Sequence, residues 1–113
     1  MKMQNITVFK DEAEAYKQIE EAGYFVFQAD YPAVENDFHW HDFDSLIYIT
    51  AGELTVTEQA TGDTAICGPG SKIIGSAGVV HREKSDGYSA ILGLSVDPRS
   101  LTQPVEKPPI EAG

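Results

Sequence analysis

With 113 residues the chain has room for one packed domain and not for two independent cores. Lys and Arg number 8 against 18 Asp and Glu, a formal charge of -10 that argues against a groove built to track nucleic-acid phosphates. A 42% hydrophobic fraction fits a globular domain, no run approaches the ~20 apolar residues of a membrane span, and one cysteine excludes an intrachain disulfide. Cys67 is read as a small buried hydrophobe. The first 21 residues turn acidic where a targeting core would be apolar, so a cytoplasmic protein is expected.

Residues 11–22 (DEAEAYKQIEEA) are predicted to be helical. Asp11 can cap the start with Glu14 three residues on, and Gly23 supplies the stop. Ala13, Tyr16, Ile19 and Ala22 are expected to form the apolar stripe that packs the helix on the outside of a sheet. From residue 24 the periodicity becomes that of strands. Segments 24–28, 37–41, 45–50, 53–58, 64–66, 72–74, 79–83 and 88–96 are short candidates, separated by glycine-bearing turns such as Gly52, Gly62-Asp63, Pro69-Gly70 and Asp86-Gly87. Many short strands without crossover helices predict an all-β, antiparallel sandwich or barrel. The candidate core aromatics and aliphatics are Phe25, Phe27, Phe38, Phe43, Ile47, Tyr48, Ile49, Ile74 and Tyr88. Residues 98–113 carry four prolines and read as an extended or partly disordered tail following a domain of 1–97.

The three histidines are confined to His39-Trp40-His41 and His81-Arg82-Glu83. On strands, alternate side chains share a face, so His39 pairs with His41 and His81 with Glu83. If those strands neighbour each other, imidazoles and a carboxylate converge, as Zn, Fe, Ni or Mn requires. Trp40 is then expected to face outward, where it could meet a partner subunit.

The segment from His39 to His81 resembles the cupin superfamily, small jelly-roll barrels that usually carry a divalent metal. His39, His41 and Gly52 match the first motif, although Ser45 stands where a metal-binding glutamate is usual. Gly62-Asp63, Pro69-Gly70, Gly78 and His81 match the second, and the resemblance spans about residues 38–96. It implies an antiparallel jelly-roll barrel with the N-terminal helix packed outside. The implied metal ligands are His39, His41 and His81, with Glu83 or Asp44 in place of the missing glutamate, since a serine hydroxyl is a poor ligand. Ser45 is expected to bond an outer partner or a water.

Two function classes follow. One is a metal-dependent enzyme acting on a small polar or anionic metabolite, with Glu83 or Asp44 moving a proton if it is not a ligand and Phe25 or Phe27 with Ile47 shaping an apolar mouth. Tyr48 or Tyr88 could orient the substrate. The other is a noncatalytic small-molecule binding or sensor module. A homodimer is expected from the exposed barrel edge, and neither nucleic acid nor membrane is an expected partner.

Overall fold

The computed structural model describes residues 6–100. It is mostly β: a curled antiparallel half-barrel with one N-terminal helix. In chain order the elements are β1 (Ile6–Val8), α1 (Glu12–Ala22), β2 (Phe25–Glu35), β3 (Ser45–Gly52), β4 (Leu54–Glu58), β5 (Thr64–Cys67), β6 (Ser71–Gly75) and β7 (His81–Leu94). The hydrogen-bonded order is β1-β6-β3-β7-β4-β5, with β2 paired to the other side of β7.

β7 is the spine of the sheet, and its 14 residues join two segments predicted as separate strands, 79–83 and 88–96. Its start pairs with β4, setting Glu58 opposite His81, and its end pairs with β3, setting Ser45 opposite Leu94. Asp86-Gly87 is therefore an irregularity inside a strand and not the predicted turn. The backbone bends there because Gly87 adopts φ 134°, and its N–H donates to Ser85 Oγ at 2.9 Å. Opposite Gly87 lies Pro32, whose ring nitrogen has no hydrogen to donate. β2 pairs only with β7 among the described residues, so a proline is tolerated and the strand runs past its predicted end at 28 to Glu35.

Segment 37–41 is also not a strand. It is a loop with isolated bridge residues, and at one bridge His39 and His81 exchange both backbone N–H···O bonds at 2.8 and 2.9 Å.

Alternation along β3 divides the protein into two apolar layers. Ile49 points inward to join Leu54, Val56, Cys67, Ile73, Ala90 and Leu92. Tyr48 points the opposite way, under the helix, with Ala15, Ile19 and Ile91. The helix caps as predicted: Asp11 accepts the Glu14 N–H at 2.9 Å, Glu14 in return accepts that of Lys10, and Gly23 ends the helix at φ 74°.

The buried stripe, however, is Ala15 and Ile19, while Tyr16 is 38% exposed. Gly93 explains the difference. A Cβ there would lie 2.7 Å from Ile19 Cγ2, so the strand leaves a recess that Ile19 fills and the helix rests on one narrow seam. Phe25 and Ile74, expected in the core, are 46% and 38% exposed, Phe25 near the free end of its strand and Ile74 on the outer face of β6. Cys67 is fully buried, and burial pushes its thiol pKa up, as suits a packing residue. No described helix is long and apolar enough to cross a membrane. Residues 98–100 form a short 3-10 turn, and the rest of the predicted tail lies outside the described residues.

Candidate metal centre

His39, His41, His81 and Glu83 each direct one donor atom into a common space, all within 4.8 Å of one another. The backbone bridge brings the two halves together: His39 and His81 face each other across it with ring centroids 4.6 Å apart. His41 follows two residues later, 5.0 Å from the His39 ring and 5.3 Å from the His81 ring, and its imidazole stacks on buried Phe43. Glu83 reaches the same side of β7 as His81, two residues along the strand.

Two of the imidazoles have their orientation set from behind. His39 Nδ1 lies 2.7 Å from the Asp37 carbonyl and His81 Nδ1 lies 2.9 Å from that of Val79. A carbonyl oxygen only accepts, so both Nδ1 atoms carry the hydrogen and Nε2 is the atom turned to the cluster. This is the tautomer in which imidazole ligates a metal through Nε2 while its other nitrogen is anchored.

The carboxylate is clamped as well. The Asn36 side-chain amide donates to Glu83 Oε2 at 2.7 Å, and its oxygen accepts the Glu83 backbone N–H at 2.7 Å. The other oxygen, Oε1, lies 2.8 Å from His81 Nε2, and Oε2 lies 3.4 Å from His39 Nε2.

Electrostatics follow from this arrangement. Burial alone would raise the Glu83 pKa, but the close imidazoles of His39 and His81, the His81 charge and the Asn36 amide outweigh it and hold the carboxyl well below its usual range. Burial would likewise lower the His81 pKa, yet the hydrogen bond and charge of Glu83 bring it above the ordinary imidazole value. A cation bound by the cluster would have to displace the proton that links His81 Nε2 to Glu83 Oε1 across 2.8 Å. Three imidazoles and one carboxylate, with two rings already fixed as Nε2 ligands, fit a divalent transition metal.

The cluster forms part of the wall of a cavity of about 810 Å³. Phe27, Ile47, Val56 and Leu92 supply apolar lining, while Tyr31, Tyr88, Ser45, Ser76, Asn36 and Glu58 add polar groups. Tyr31 and Tyr88 are register partners on β2 and β7, and their rings stack at 4.9 Å and 24°. Burial raises both hydroxyl pKa values, and both tyrosines are therefore neutral near pH 7.

Other predicted site residues are placed differently. Asp44 does not join the cluster: its carboxylate accepts the Ala77 N–H at 2.8 Å, its backbone N–H donates to Ser95 Oγ, and it braces two loops together. The cause lies far along the chain: β3 begins at Ser45, and the preceding residue is tied to Ala77 and to Ser95 just past the end of β7. Ser45 does face the cavity, opposite Gly75, whose missing side chain makes room for the serine hydroxyl. Tyr48 lies on the outer side, donating to Gln18 Oε1 on the helix at 2.8 Å, and has no access to the cavity lining. Trp40 is half-buried and outside that lining. Sequence reasoning missed Asn36, Tyr31 and Glu58. Continuing the alternation of β2 through Pro32 would have put Tyr31 on the same face as Phe27, whereas nothing in the sequence ties Asn36 to Glu83.

No protein-family model matches this chain, and no curated protein sequence matches it. Solved structures do. A DUF861-family protein of Thermotoga maritima superposes with TM-score 0.57 at 18% identity, covering 79% of this chain and 98% of that one. A cupin-2 domain protein of Shewanella frigidimarina gives 0.55 at 13% identity, covering 86% and 84%. DMSP lyase DddQ of Ruegeria pomeroyi gives 0.56 at 20% identity, covering 67% of this chain and 40% of its own. Likeness at this level of identity speaks for the fold. The protein has the cupin jelly-roll fold, and within it stands a cluster of His39, His41, His81 and Glu83 that could hold a metal.

Proposed function

We propose that this protein is a metal-dependent cupin enzyme acting on a small oxygen-bearing metabolite. One observation carries the reading: three of the four donors, His41, His81 and Glu83, line a cavity of about 810 Å³, so the cluster is not sealed within the core. A structural metal site is closed, whereas a reactive one keeps a face toward substrate. His39, His41, His81 and Glu83 would hold Zn, Fe, Ni or Mn, and such an ion supplies Lewis acidity, with redox chemistry added if it is iron or manganese.

The protein's own groups divide the remaining work. Asn36 orients the Glu83 carboxylate as the fourth donor, and Glu83 serves as a base only when it is not a ligand. The Tyr31 and Tyr88 hydroxyls, neutral near pH 7, donate hydrogen bonds to substrate oxygens. Phe27, Ile47 and Leu92 exclude water from the far wall.

The test is elemental analysis of untagged protein purified without added metal or chelator, beside His41→Ala. The expected result is near-stoichiometric transition metal in the parent and its loss in a folded variant. Metal content unaffected by the substitution refutes the site. Bound metal and ligand without turnover across a broad substrate screen would make the protein a binding module instead.

A further inference from the structure

The cavity has a marked charge asymmetry. Its described lining includes two carboxylates, Glu58 and Glu83, and neither lysine nor arginine. Every described cation is engaged or placed elsewhere. Lys17 pairs with Glu21 on the helix, and Lys72 bonds Gln18 beside the outward face of Tyr48. Arg82 covers the Phe38 ring, Lys84 pairs with Glu35 and Arg99 with Asp97, while Lys10 precedes the helix and is absent from the lining.

Metal binding changes this balance at one point only. A divalent ion set against the single Glu83 carboxylate leaves positive charge for one anionic oxygen, and no lysine or arginine supplies more along the described lining. A second anionic group would enter a cavity faced by Phe27, Ile47, Val56 and Leu92 in which the described lining offers only neutral hydroxyls and an amide to replace its water, with no lysine or arginine to balance its charge and with Glu58 repelling it.

We propose that the cavity takes a ligand with its charge confined to one end: a small, largely apolar molecule with one oxygen-donor head directed at the His39, His41, His81 and Glu83 cluster. The stacked Tyr31 and Tyr88 rings face its neutral body. Phosphorylated metabolites and dicarboxylates are excluded by the same lining. The inference rests on the proposed function for the metal end, while the charge preference of the wall stands without it.

The experiment uses ligands sharing one chelating head. The full chain loaded with Zn²⁺ is titrated calorimetrically with acetohydroxamic acid, benzohydroxamic acid and 4-carboxybenzohydroxamic acid. The phenyl ring is expected to improve affinity by about tenfold, and the added carboxylate to reverse that gain by about tenfold or more. Glu58→Lys is expected to recover at least about threefold for the carboxylated ligand without helping the neutral one. Equal or tighter binding of the carboxylated ligand by the parent overturns the proposal.

If the chain takes up none of Zn²⁺, Fe²⁺, Ni²⁺ or Mn²⁺, the proposed function fails, and the metal-free protein decides the remainder with benzyl alcohol against 4-(hydroxymethyl)benzoate. Preference for the neutral alcohol supports the proposal. Preference for the carboxylate, or binding of neither, overturns it.

Discussion

Replacing Asn36 with alanine should weaken metal binding without touching any ligand. The side chain makes two 2.7 Å hydrogen bonds to Glu83, one to the carboxylate and one to its backbone N–H. A hydrogen bond to a charged group contributes about 1.5–3 kcal/mol. If that bond orients the carboxylate, its loss corresponds to roughly 10- to 100-fold in metal affinity, in line with the effect of removing outer partners from other metal sites. The fold should survive, because the Asn36 backbone N–H still donates to the Glu83 carbonyl at 3.2 Å and β2 stays paired along β7. Stability of the metal-free form should fall by about 1–3 kcal/mol, because a half-buried N–H loses its acceptor. Competition against a chromophoric chelator measures the first effect and thermal unfolding of the metal-free protein the second. Affinity within about twofold of the parent, with the melting temperature lowered as expected, would refute the orienting role while leaving the hydrogen bonds real.

The pH dependence of the two forms should run in opposite directions. Folding raises the His81 pKa, so its contribution to metal-free stability is present below the unfolded value and is lost as pH rises through the folded one. A metal must displace that proton, so metal affinity should increase over the same interval, and melts of both forms between about pH 6 and pH 9 would show it. Glu83, with its pKa lowered, adds stability above the unfolded carboxyl value that disappears only on strong acidification. Gly93→Ala should cost about 1–3 kcal/mol in chemical denaturation, since the new Cβ would sit 2.7 Å from Ile19 Cγ2. Asp44→Ala should lower stability by about 1 kcal/mol through loss of the Ala77 bond and leave metal content unchanged; loss of metal would restore Asp44 to the site.

The cupin fold was legible because glycine turns and apolar alternation are local signals, and the His39, His41 and His81 motifs keep their spacing. What escaped was nonlocal. Whether Asp86-Gly87 turns the chain or bends a continuous strand depends on β2 lying alongside with Pro32 opposite. The choice between Asp44 and Glu83 was open for the same reason: each lies near the histidines in sequence. Only the hydrogen bonds from Ala77 and Asn36, both far away along the chain, send one carboxylate to a loop and the other to the cluster. The helix stripe was misjudged because periodicity ranks residues by size, whereas the seam is set by a recess at Gly93 that no property of the helix reveals.

The donor set is split between unlike supports. His81 and Glu83 begin a strand paired on both edges, while His39 and His41 sit on the connection between β2 and β3, which meets the sheet through the His39–His81 bridge and is anchored at its ends by Asn36 and Asp44. An ion joining them would act as a fastener between the sheet wall and this flap of chain. The order of that flap and the affinity for the ion are then a single free energy, paid or recovered together. Loading the protein should slow amide exchange at residues 36–44 far more than across β7, and whatever weakens the flap will be felt first as a leak of metal.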